Sequence, residues 1–151
     1  MKKNLRNRVV TLLAASALLG GSSLTLGATN AAAADWTFSK SPVSDNGSYI
    51  IYAYNNGTLA RLMEWNADPL ETSGTPGDAF RVGDRLADGR GMEASMISPV
   101  TGRVATTRGH GNGYYSPWNT GNLREGTKVF IQLCAVHGDY SDCSLGYSGH
   151  A

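Results

Sequence analysis

The chain has few of the residues on which small proteins build reactive centres. Its 151 residues include two cysteines and three histidines. Two cysteines allow a single intramolecular pairing, which excludes a scaffold held by several disulfides. His110, His137 and His150 never stand at a metal-ligand spacing such as His-x3-His, so no metal and no cofactor is expected. Gly-x-Ser-x-Gly does not occur, which removes the nucleophile elbow of serine hydrolases. Charged residues make up 17% of the chain, with no block of one sign. Past residue 34, nothing keeps a 3.6-residue period over eleven or more positions, so no core helix is expected. No second hydrophobic run follows the first, which argues against a membrane anchor.

What is present begins with a leader. Lys2, Lys3, Arg6 and Arg8 form a basic start, residues 9–26 are apolar, and Ala31 to Ala34 supply the small residues of a cleavage site. The break at Gly20, Gly21, Ser22 and Ser23 argues against a membrane-spanning reading. Residues 1–34 are therefore expected to be a signal peptide and residues 35–151 a single secreted, extracellular domain. Cleavage removes four of the thirteen basic residues, leaving nine Lys and Arg against twelve Asp and Glu. That mild acidity argues against nucleic acid as a partner, because non-specific binding there rests on neutralising phosphate. In an exported chain Cys134 and Cys143 are expected to pair.

Short apolar runs recur every eight to twelve residues between Gly, Asn, Asp and Pro, the pattern of a sandwich or barrel. Residues 36–38 read as a short first strand or as a tail over the core. Residues 48–54 and 58–65 flank Asn56-Gly57, a pair that suits a hairpin turn. Large apolar groups occupy both faces of that hairpin, so its strands are either covered on both sides or present an exposed aromatic face. Residues 66–77 read as a loop. Residues 80–86 and 92–97 flank Asp88-Gly89, and a three-residue loop between them would pair Val82 with Met96, Leu86 with Met92 and Arg85 with Glu93. Pro99 to Gly102 make another turn, and residues 103–107 a short strand. The cleanest period-2 run comes last, with Val129, Ile131, Leu133 and Ala135 on one face and Lys128 and Gln132 on the other. The expected architecture is an all-β antiparallel sandwich of about seven or eight short strands with one C-terminal disulfide. That bond should hold residues 144–147 beside the last strand.

The candidate site is the glycine-rich connection between residues 103 and 121. It gathers His110, Tyr114, Tyr115, Trp118 and Asn119, and Trp65 of the preceding hairpin is added as a further candidate. Aromatics can stack on a sugar ring or another flat ligand while Asn119 supplies hydrogen bonds. The competing reading, that the aromatics plug the end of the sandwich, is favoured by how much area each ring buries in a small domain. Asp78, Asp84, Asp88 and Glu93 lie close in sequence, but their spacing matches neither a calcium loop nor a defined acid–base pair. Asp88 is accounted for by its turn and Glu93 by Arg85. Asn46-Gly-Ser48 and Asn56-Gly-Thr58 are formal glycosylation sequons that read as turns.

Val82-Gly83-Asp84 leading to Ala87-Asp88-Gly89, residues 122–126 before the last strand, and Cys134 and Cys143 followed by Ser144 are together similar to a family of small secreted proteins common in actinomycetes. The likeness runs from Phe80 to the C-terminus. Gly91 stands where that family writes a larger polar residue, and the aromatic connection is particular to this chain. The resemblance implies an exported β-sandwich with one disulfide near the C-terminus, and it carries over no catalytic residues. The expectation is a monomeric, non-enzymatic binding domain for an extracellular glycan or protein. An inhibitor of a secreted hydrolase is the alternative, presenting either residues 109–121 or the loop between the cysteines, and a small hydrolase is a third reading.

Overall fold

The structure is a computed structural model that describes residues 34–151; residues 1–33 of the expected signal peptide lie outside them. Among the described residues the chain forms nine strands and no helix. They are β1 (Trp36–Lys40), β2 (Tyr49–Asn55), β3 (Thr58–Asn66), β4 (Ala79–Asp84), β5 (Gly91–Ser98), β6 (Val104–Thr106), β7 (Lys128–His137), β8 (Tyr140–Cys143) and β9 (Tyr147–His150). One sheet runs β1-β2-β3-β4. The other runs β6-β5-β7-β8, with β9 also on β7. All the pairings are antiparallel. This is the expected all-β sandwich, with two of its nine strands being four-residue pieces at the C-terminus.

The sheets face each other across one core. Ile51, Met63, Trp65, Phe80 and Val82 come from the first sheet, and Met92, Ala94, Met96, Val129, Ile131, Leu133 and Ala135 from the second. The alternation in β7 places its four apolar residues inward, all fully buried. Residues 36–38 belong to a strand, with Phe38 paired to Ala53 and packed against the core. Asn56 and Gly57 adopt φ of 49° and 77°, so the hairpin turn requires just the two residues that tolerate positive φ. That turn closes Asn55 on Thr58, and a bulge beside Ala53 then shifts the register of β2 on β3 by one residue.

The hairpin expected around Asp88-Gly89 does not form. β4 pairs with β3 at the edge of the first sheet, and β5 lies in the second sheet between β6 and β7. Val82 and Met96 do share the core, but from opposing sheets. Alternation tells which face a residue presents and not whether two strands are neighbours or opposed. What turns the chain across is Arg61, which is fully buried on the inner face of β3. Its guanidinium donates to both carboxylate oxygens of Asp88 and to the carbonyls of Leu86 and Arg90. Glu93 is matched to Arg108 at 3.1 Å instead of to Arg85.

Cys134 and Cys143 are Cα partners across β7 and β8 and are disulfide-bonded. Beyond the bond, Ser144 donates its N–H to the Leu133 carbonyl at 2.8 Å, and its hydroxyl accepts the Leu133 N–H at 3.0 Å. Tyr147 then opens β9 opposite Ile131. The C-terminal segment is thus held beside the last strand, as its position after the cysteines implies.

Candidate functional site

β4 would be an open edge if nothing covered its outer side, and exposed edges invite pairing with other chains. The connection after β6 covers it. Gly113 donates to the Asp84 carbonyl and Asp84 to that of Tyr114, at 2.6 and 2.9 Å. Ser116 donates to the Val82 carbonyl at 2.8 Å while its hydroxyl accepts the Val82 N–H at 3.1 Å. Asn119 and Phe80 exchange backbone bonds of 2.8 and 3.1 Å. Residues 113–119 therefore act as an irregular fifth strand, and the long connection is tied down along the sheet edge.

This segment sorts the aromatic candidates into separate places. The Tyr115 ring lies against Gly83, where a Cβ would meet Cε1 at 2.5 Å. Gly83 is on the outward-facing side of β4, so Tyr115 lies outside the sandwich and keeps 36% of its surface exposed. The Arg81 guanidinium is 4.9 Å from the Tyr115 ring centre and 4.5 Å from that of Trp118. Glu64 holds Arg81 at 2.7 Å from the adjacent strand. The strand registers place Tyr52, Leu62, Gly83 and Tyr115 in one row across the sheet. Leu62 is 6% exposed although it is absent from the core, because the outer face covers it. The outer face of the first sheet is therefore an aromatic strip, with Tyr52 at one side, Tyr115 and Trp118 at the other, and an Arg81–Glu64 pair between.

Four expected members do not belong to that strip, Trp65 and Asn119 first among them. Trp65 is 2% exposed and lies in the core, where its Nε1 donates to the His150 carbonyl at 3.1 Å. It follows the inward parity of Met63 and cannot stack on an external ring. Asn119 uses its side-chain amide internally, since Nδ2 donates to the Val104 carbonyl and Oδ1 accepts from Arg103 Nε, at 2.9 and 3.0 Å. Arg103 also donates to the carbonyls of Asp78 and Asn119. These bonds join β6 of one sheet to the edge of the other.

His110 and Tyr114 stack on each other with ring centres 3.7 Å apart and planes within 7°. His110 lines a separate cavity of about 410 Å³ together with Asp84 and Arg90. Burial pushes the Asp84 carboxyl above the usual carboxylate range, against the Leu86 N–H and Arg61, which pull it down. Asp88 is moved the other way. Its burial would raise it, but hydrogen bonds from Arg61, the Arg90 N–H and Asn55 bring it below the usual range. Among the described residues no three His, Cys, Asp or Glu side chains converge as a metal site.

Arg81, Gly83 and Tyr52 were not legible as site members. Arg81 and Gly83 sit inside the short motif of β4, and only the folded-back segment gives them aromatic partners. Comparison of the chain with protein-family models, with curated proteins and with solved structures gives no match.

Proposed function

We propose that this chain is an exported, non-enzymatic binding domain that takes an extracellular glycan on the outer face of its first sheet. The observation that carries this reading is the pair Tyr115 and Trp118, held along β4 by the backbone bonds of the neighbouring Tyr114, Ser116 and Asn119 and sharing Arg81. A sugar ring presents an apolar face of C–H groups and a rim of hydroxyls. The first matches an aromatic ring, the second a guanidinium and a carboxylate such as Arg81 and Glu64. Rings already fixed in place lose little conformational freedom on binding, which favours affinity from a small contact area. Export is supported by the leader-like residues 1–34 and by the disulfide, and the likeness to small secreted actinomycete proteins agrees with it.

The test is cosedimentation of the purified protein with insoluble polysaccharides and isolated cell walls. Trp118→Ala and Tyr115→Ala should each weaken retention about tenfold or more, the range of a residue at the centre of an interface. The melting temperature should stay close to that of the parent. A sharp drop in melting temperature with Trp118→Ala would show that the ring belongs to the core, and the reading would lose its support. Retention by a protein of the wall fraction, and not by its polysaccharide, would select a protein partner for the same face.

A further inference from the structure

A second surface feature lies away from the aromatic strip, where the connection between β1 and β2 meets β7 and β9. It is a broad depression, open to solvent, lined by Lys40, Asp45, Gly126, Lys128, Ser148 and His150 among others. Lys40 and Lys128 are the only lysines among the described residues. Among the described residues no carboxylate lies within ion-pair distance of either; Arg85, Arg103 and Arg124 are likewise without one, while Arg61, Arg81, Arg90 and Arg108 are each matched. Residues 35–151 carry an excess of acidic groups, yet this surface presents two lysines and one carboxylate, Asp45.

The walls hold these groups in place. Lys40 crosses from the first sheet to donate to the Ser148 carbonyl at 2.8 Å, and its ammonium stands 5.3 Å from the Tyr49 ring centre. Lys128 and His150 are Cα partners across β7 and β9, so their side chains leave the same face of that pair. The His150 ring packs against Gly47, which has φ of 91° and where a Cβ would meet the imidazole Nδ1 at 2.5 Å. The one acidic lining group, Asp45, is exposed on the β1–β2 connection.

We infer that this depression is an oxyanion site, taking a phosphate or carboxylate group carried on an extracellular glycan chain, with Lys40 and Lys128 as its two cations. Lysine binds such groups as a compact point charge with several donors. The site is separate from the aromatic strip, and only the placing of its anion on a glycan chain rests on the function proposed above.

The experiment follows the backbone amides of the isotope-labelled protein while inorganic phosphate, galacturonate or neutral galactose is added. Phosphate or galacturonate should shift Lys40, Asp45, Gly126, Lys128 and His150 in a saturable way, and galactose should not. A response to phosphate assigns the site to phosphate-bearing chains, and a response to galacturonate assigns it to acidic sugars. Lys128 is exposed and donates no side-chain hydrogen bond, so Lys128→Gln should fold normally and weaken the anion about tenfold, with Lys128→Arg restoring most of the affinity. Tyr115→Ala should leave the anion response unchanged. The inference is overturned if neither anion gives saturable shifts there, or if Lys128→Gln binds as tightly as the parent.

Discussion

Arg61 is the residue that most shapes this molecule, and nothing in its neighbourhood of the sequence announces it. It alternates inward with Met63 and Trp65, at a position where Val or Leu would be ordinary. Its Nε lies 3.2 Å from Asp84 Oδ1 as an ion pair without a well-aligned hydrogen bond, and the Trp36 ring centre is 5.1 Å away. A buried ion pair contributes little over a well-packed apolar substitute, but removing one partner strands the other. Arg61→Ala should therefore cost about 3–5 kcal/mol in urea unfolding. A cost under about 1 kcal/mol would mean that Asp84 and Asp88 reach water without it.

The two carboxylates of this cluster give opposite pH signatures. Asp88 lies below its ordinary value when folded, so its contribution is present above the unfolded carboxylate pKa and is lost as pH falls through the folded value. Asp84 lies above its ordinary value, so its contribution is present at low pH and is lost as pH rises through the folded value. Asp88→Asn should thus be markedly less stable than the parent at pH 7, with the gap narrowing below about pH 4. A gap of constant size in urea titrations at both pH values would contradict the assignment of Asp88 as the ionised partner.

At the scale of elements, β4 and the segment laid along it behave as one unit. Gly83 is there because the Tyr115 ring occupies the space of its side chain. Gly83→Ala should push that ring off the sheet and reduce polysaccharide retention as much as Tyr115→Ala does. If Gly83→Ala retains full binding, the ring position does not matter to the ligand.

The β7–β8 clasp is a different kind of unit. Its ten-residue closed loop restricts the unfolded chain by roughly 2.5–3 kcal/mol in the entropy picture. Cys143→Ser should lose about that much stability while the fraction still folded keeps its aromatic-face binding. Loss of binding at unchanged stability would make the clasp part of the site.

For the molecule as a whole, the decisive contacts are those that close the sandwich along one side. Asn119 and Arg103 tie β6 to the covered edge of β4. Asn119→Ala removes its two side-chain bonds, to the Val104 carbonyl and from Arg103 Nε, and should lower the melting temperature, with the remaining folded protein binding normally. A variant of parental stability with weakened binding would return Asn119 to the ligand.

Much of this architecture could be read from the chain. The period-2 run in β7 fixed which of its residues face the core, and Asn56-Gly57 fixed a turn that only such residues accommodate. The cysteine pair fixed the clasp. These are local matters, decided by side-chain alternation, by φ and by a single possible pairing. The tertiary structure alone decided which strands are neighbours and which are opposed. A strand's alternation is satisfied equally by either arrangement, so β4 and β5 looked like a hairpin and are in separate sheets. It also decided that Trp65 is core while Trp118 lies by Arg81 on the outer face. Both are tryptophans among polar and apolar neighbours, and only the parity of β3 against its partners, and the backbone bonds that fold residues 113–119 onto β4, separate them.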